Sequence, residues 1–195
     1  VTNCVFIGLE SVVASSSAGL DSATVAAMIA AAFPTPAAQI GEFRDGGVVF
    51  WVDGSGQHGL VCDIQDLGAA EWGCLGTLIS GADGTVIGTG IQNTIDILAG
   101  CGTIGIAAYL CANSNAQGYS DWFLPSKDAL DEMYNNQTDI NFTSLFNGGG
   151  VFFNSIYWSS SENDANGAWG QNFDTGSKYY HNGSLLMYIR AIRAF

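Results

Sequence analysis

The stretch "GYSDWFLPSKDALDEMY", residues 118–134, sets two aromatics, a Leu-Pro break and a helix start side by side. Trp122 and Phe123 read as buried residues of an extended piece that Leu124-Pro125 ends. Ser126 then caps a helix of roughly "KDALDEMYNN", with Asp128 and Asp131 suited to the positive end of its dipole and Leu130 and Met133 anchoring it to a core. The stretch is a hinge made by packing and capping, and its residues suggest no chemistry.

Upstream, "GGVVFWVD" (46–53) is apolar on both faces and reads as a central strand. "SGQH" turns it back into "GLVCDI", completing a hairpin. "EWGCLGTLISGADGTVIGTG" reads as a long ordered loop in which Trp72, Leu75, Leu78 and Ile79 need burial. "NTIDILAG" reads as a helix capped at Asn93 or Thr94 and ended by Gly100. "TIGIAAYLCAN" reads as another, with Ile104, Ala107, Ala108 and Cys111 on one side. From Val151 the chain turns β-rich, with turns at Asp174-Thr175-Gly176 and a hairpin signal at Asn182-Gly183. Segregated elements of this kind give an α+β fold with an antiparallel sheet and two or three helices, its first and last strands placed to pair.

Composition shifts near residue 40, so residues 1–39 are read as an extension and 40–195 as the domain. In the extension, Asp21 or Ser22 caps a helix whose Val25, Met28, Ile29, Ala32 and Phe33 share a face, and Pro34 stops it. About twelve helical residues are marginal alone. The narrow, Ala-rich face of residues 20–33 points to a short oligomerising stalk, most simply a trimer, with docking on the domain as the alternative. The opening "VTNCVFIGLESVVASSSAG" lacks a basic region and carries Glu10, so it is not an intact signal peptide, and further chain is expected upstream.

Five Lys and Arg stand against 18 Asp and Glu, a net charge of −13. That balance speaks against nucleic acid as a partner, and no apolar run reaches the ~20 residues of a membrane span. Cys62, Cys74, Cys101 and Cys111 fall within fifty residues without a C-x-x-C pair. They read as one or two disulfides of open connectivity, and so as an extracellular protein, on a cell surface or a virion; buried thiols are the alternative.

In order, "GGVVFWVDGSGQHGLV", "EWGC", "GYSDWFLPSKDALDEMY", "YWSSSE", "AWGQNFDTG" and "IRAIRAF" resemble the Lcl C-terminal domain family, named for a bacterial collagen-like adhesin. The resemblance covers about residues 40–195 and implies a C-type-lectin-like fold. It also implies an extracellular module at the tip of an adhesin, cell-surface protein or virus tail fibre, often after a trimeric stalk. Family members that bind glycosaminoglycans use basic surface. Here Arg44, Lys127, Lys178, Arg190 and Arg193 are the only fixed positive charges.

No catalytic group is expected. His58 and His181 sit in or beside turns, and Ser159–Ser161 lack a nucleophile elbow. No cofactor is expected either, although Glu162, Asn163 and Asp164 form the densest oxygen cluster for a calcium ion. Sugar recognition without metal needs aromatic faces and planar polar groups. Trp169, Asn172, Tyr179, Tyr180, His181 and Asn182 are the candidates, with at least one tyrosine facing solvent. The resulting expectation is an adhesion module that recognises a glycan or protein ligand as the head of an oligomeric fibre. The alternative is a structural subunit or decoration of an extracellular filament or virus tail.

Overall fold

Asp121 to Pro125 runs extended between two hydrophobic cores in the computed structural model, which describes residues 21–32 and 36–195. Successive side chains of an extended chain point to opposite sides. Trp122 accordingly enters one core and Phe123 the other, and both are buried. Phe123 exchanges backbone hydrogen bonds with Ile192 near the C-terminus, 2.9 and 3.0 Å long. Its neighbours then form the expected cap: Ser126 Oγ accepts from the Ala129 N–H at 3.3 Å, with Asp128 in the first turn of the helix that follows.

The chain divides after Ala37. Before that point lies α1 (Ser22–Ala32), capped by Asp21, whose carboxylate accepts from the Thr24 N–H at 2.7 Å. It carries no charged residue, and Met28 and Ile29 are exposed. Cys4, Phe33 and Pro34 lie outside the described residues.

The larger unit is α+β, with two sheets and four helices. Strands β1 (Phe43–Arg44), β2 (Gly47–Val52), β3 (Gly59–Cys62) and β9 (Ile192–Ala194) form an antiparallel sheet in that order. The hairpin expected around "SGQH" is the β2–β3 pair, and β3–β9 brings the first hairpin against the last strand. The second sheet has the order β4 (Ala69–Ala70), β8 (Met187–Tyr188), β5 (Ile156–Asp164), β6 (Gly167–Asn172), β7 (Lys178–Asn182). It is mixed, because β5 and β8 run parallel. Helices α2 (Gly90–Gly100) and α3 (Ala107–Ala112) belong to the core containing Trp72, Trp122 and Trp158. Helices α4 (Lys127–Asn135) and α5 (Gln137–Phe146) belong to the core containing Phe50, Phe123, Tyr157 and Phe173.

Several expectations change. Four helices replace two or three, because α5 was not anticipated. Helix α2 begins at Gly90 rather than near Asn93, since those side chains serve elsewhere. Asn93 Nδ2 donates to Gly84 O and Ser160 Oγ, while Thr94 Oγ1 donates to Gly90 O and accepts from Leu124 N–H. The helix can start there because Gly90 lies against the Leu124 carbonyl and Ser126 amide, where a Cβ would come within 2.7 Å of the former. Leu75, Leu78 and Ile104 are exposed, leaving Trp72 and Ile79 to anchor the long loop. Asn182-Gly183 does not make a hairpin. Neither residue takes the positive φ of a type I′ turn, Asn182 Oδ1 accepts from Ser184, and the Gly183 carbonyl accepts from Trp72 and Gly73. The Asp45-Gly46 pair, with φ of 48° and 79°, makes that kind of turn instead, between β1 and β2.

Truncating Trp122→Ala or Phe123→Ala empties one core or the other, and urea unfolding of each should show a loss of about 3–5 kcal/mol. Ser126→Ala should cost about 1 kcal/mol in the same measurement. Arg193 holds Asp121 through Nε and Nη2 at 2.7 and 2.9 Å, and this pairing keeps the Asp121 carboxyl below the usual range. A lowered carboxyl pKa stabilises the fold above the ordinary Asp value of ~3.9 and loses that contribution as pH falls through the folded value. Thermal melts from pH 6 to 2 should therefore fall more steeply for the native chain than for Asp121→Asn.

Candidate functional site

The expected sugar-binding residues lie on the β6–β7 hairpin, but strand alternation divides them. Trp169 is opposite Tyr180, on one face with Asn182, whereas Tyr179 and His181 lie on the other with Asn172. Most already have partners. Lys127 Nζ sits 3.6 Å over the Trp169 ring, and Tyr180 donates to Asp164 Oδ1 at 3.3 Å. Asn172 Oδ1 accepts from the Asp174 and Thr175 amides, and Asn182 Oδ1 from Ser184 N–H and Oγ, so both close turns. His181 lies edge-on to buried Trp158, and burial lowers its pKa. Tyr179 keeps its ring open, 60 % exposed.

The calcium candidates are likewise occupied. Glu162 is buried, and both its carboxylate oxygens accept from the Ile79 N–H at 3.0 Å; burial raises its pKa. Asp164 Oδ1 also accepts from the Asn166 amide. Among the described residues no group of three or more His, Cys, Asp or Glu side chains is placed to hold a metal ion.

The three consecutive serines are buried and spend their hydroxyls on the frame. Ser159 Oγ donates to Trp169 O, Ser160 Oγ accepts from Asn93, and Ser161 Oγ donates to Gly84 O while accepting from Lys127 N–H. Ser161 thereby fastens both the long loop and the start of α4 to β5, while Ser160 ties α2 to it and Ser159 ties it to β6. His58 sits at the β2–β3 turn, where its carbonyl accepts from Asp53 N–H.

Cys74 and Cys101 form a disulfide, tying the long loop to the end of α2. Cys62 and Cys111 are not its counterparts: they are buried thiols, one in each core. Burial pushes the Cys62 pKa up to about 12, which leaves it inert as a nucleophile.

Sequence reading missed an open cleft of about 420 Å³ assembled from four separate segments. Gln65 and Asp66 follow β3, Leu145 comes from α5, Val151 and Phe153 precede β5, and Tyr188 belongs to β8. The Phe153 and Tyr188 rings stack at 4.7 Å and 31°, with Phe153 53 % exposed. Beneath them Arg190 is fully buried. Its Nε donates to Asp66 Oδ1 at 2.5 Å, Nη1 to Asp63 O at 3.0 Å, and Nη2 reaches the Gly150 and Val151 carbonyls. The Tyr157 hydroxyl donates to Asp66 Oδ2 at 2.7 Å and accepts from the Phe153 N–H at 2.9 Å. Burial, reinforced by the Asp66 charge, raises the Tyr157 pKa. One hydroxyl thus fixes the carboxylate of one wall and the backbone of the other. Gly149 completes the approach, since a Cβ there would strike the Ile64 carbonyl, while Gly150 N–H donates to that same oxygen at 2.8 Å. The only local sequence signal is the Gly148-Gly149-Gly150 run followed by exposed apolar residues.

Comparison with known proteins adds two findings. The Lcl C-terminal domain model matches residues 92–193, just over half the chain. A crystal structure of a fimbrial protein from Bacteroides ovatus is similar in fold, with a TM-score of 0.54 at 12 % identity; the match covers 75 % of this chain and 43 % of that one. The chain therefore spans less than half the length of that protein. No curated protein matches the chain significantly.

Closing a 27-residue separation by a disulfide contributes about 3–4 kcal/mol in the chain-entropy account. Reduction should lower the urea midpoint accordingly. Mass spectrometry after alkylation in denaturant without reductant should find label on Cys62 and Cys111 and none on Cys74 or Cys101.

Proposed function

Because the chain belongs to the Lcl C-terminal domain family, we propose that it is an extracellular, non-catalytic recognition module, the head of an oligomeric fibre on a cell surface or virion. The observation that carries this reading is the cleft beside Phe153. It is open and largely apolar, and its floor is fixed by a buried ion pair rather than by side chains that must reorganise. The Cys74–Cys101 disulfide supports an oxidising compartment. No described helix is long and apolar enough to cross a membrane. The non-catalytic reading is supported by the serine hydroxyls, each committed to the frame. A C-type-lectin-like classification is supported by the meeting of the domain's strands, with Gly59 and Phe195 exchanging backbone bonds at 3.2 and 3.1 Å.

Oligomerisation belongs to the same proposal. Helix α1 is uncharged and exposes Met28 and Ile29, a surface that copies can bury against one another without opposing charges in a chain of net charge −13. A trimer presents three clefts and raises weak single-site affinity to useful avidity. The second reading, a structural subunit of a filament, is favoured by the fimbrial neighbour and by the exposed Phe142 and Phe146 on α5.

Light scattering should give a trimer for the chain and a monomer for Met28→Asp/Ile29→Asp; a trimer in both removes α1 from assembly. Fluorescent trimer applied to epithelial and bacterial cells should bind saturably, and Phe153→Ala should abolish binding. Incorporation into filaments without cell binding favours the structural reading.

A further inference from the structure

The geometry points to a neutral, unsulfated pyranose residue as the occupant of the Phe153 cleft, with Phe153 as its platform and Gln65 and Asp66 as its hydroxyl partners. This inference rests on the recognition reading and narrows it to one site and one ligand class.

Three features of the cleft select such a ring. First, a pyranose has an apolar face of C–H groups and a polar rim, and it packs well on an aromatic ring whose other side is supported. Phe153 is that ring: it stacks on Tyr188 at 4.7 Å while remaining 53 % exposed. Second, hydroxyls need fixed acceptors and donors at the edge of the platform. Asp66 has one bond on each oxygen, from Arg190 and from Tyr157, and each oxygen retains a lone pair for a further donor. The exposed Gln65 side chain lies over Gly150, bringing an amide donor and acceptor to the same rim. Third, the volume of about 420 Å³ lies within the ~300–1,000 Å³ range of small-ligand sites.

The charge inventory sets the ligand's sign. Arg190 is the only cation lining the cleft; its side chain is fully buried, and four of its five N–H donors are taken by Asp66 and by the carbonyls of Asp63, Gly150 and Val151. A sulfate or carboxylate entering here would meet Asp66 without a free positive partner, within a chain of net charge −13. A simple apolar occupant fits less well, because it would cover the Gln65 amide without satisfying it.

The test uses the intact chain and a panel of neutral methyl glycosides and oligosaccharides, each beside a sulfated or uronate-bearing counterpart. Saturation-transfer NMR identifies binders and calorimetry measures them. At least one neutral saccharide should bind, at least tenfold tighter than its anionic counterpart. Phe153→Ala should weaken it at least tenfold and Gln65→Ala several-fold, while Tyr179→Ala leaves it unchanged. Both cleft side chains are exposed, so circular dichroism should report an intact fold in each variant. Preference for anionic members, or neutral binding lost in Tyr179→Ala and kept in Phe153→Ala, overturns this inference and leaves the recognition reading standing. If no saccharide binds but trimer adhesion to cells is abolished by Phe153→Ala, the ligand class is overturned alone. If the native chain neither binds a saccharide nor adheres to cells, both are overturned.

Discussion

Arg190 lies at the junction on which the larger unit depends. It sits between β8, in the five-stranded sheet, and β9, in the four-stranded one, with its guanidinium out of contact with solvent. A buried charge is tolerated only when it is paired and its donors are used, and removal of one partner from such a pair costs about 3–5 kcal/mol. Here the partners come from distant parts of the chain: Asp66 and Asp63 after β3, and Gly150 and Val151 before β5. The guanidinium also lies 4.4 Å over the Phe152 ring. Satisfying one cation therefore fixes where the segment after α5 meets the segment after β3, and the gap between them is the cleft.

The same economy governs the rest of the unit. Pairs of adjacent aromatics on extended segments, Trp122-Phe123 and Tyr157-Trp158, send one ring into each core. Two cores can then share a thin partition without a buried loop left unsatisfied. The backbone of the long loop is met by the Ser161 hydroxyl on β5, by the Asn93 amide and by the Glu162 carboxylate. Small polar side chains on the partition do for this fold what additional secondary structure would do elsewhere.

How much of this was legible depended on whether the signal was local. Ser126 as a cap, the Leu-Pro break, the β2–β3 hairpin and the turn at Asp174-Gly176 follow from neighbouring residues, and the structure has them all. Helix α5 escaped notice because Phe142, Leu145 and Phe146 face outward, so its apolar residues do not mark a core face. Two Asn/Asp-Gly pairs had opposite fates. Asp45-Gly46 adopts the positive φ values of a tight hairpin turn, whereas Asn182-Gly183 is drawn into contacts with Ser184 and Trp72, and its strand stays at the sheet edge. The cysteines divided for a similar reason. Proximity in sequence grouped four of them, but Cys62 and Cys111 belong to different cores. The cleft was the least legible feature, because its walls come from three stretches far apart in sequence, around Gln65, around Leu145–Phe153 and around Tyr188.

The proposed recognition surface is the cleft, and not the β6–β7 hairpin. The most direct test is a backbone-amide NMR titration of the intact chain with whichever neutral oligosaccharide it binds, following every assigned resonance. Recognition at the cleft should confine the shifts to Gln65–Gly68, Gly150–Phe153 and Tyr188–Arg190. Shifts centred on Trp169 and Lys178–Asn182 with the cleft unmoved would contradict it.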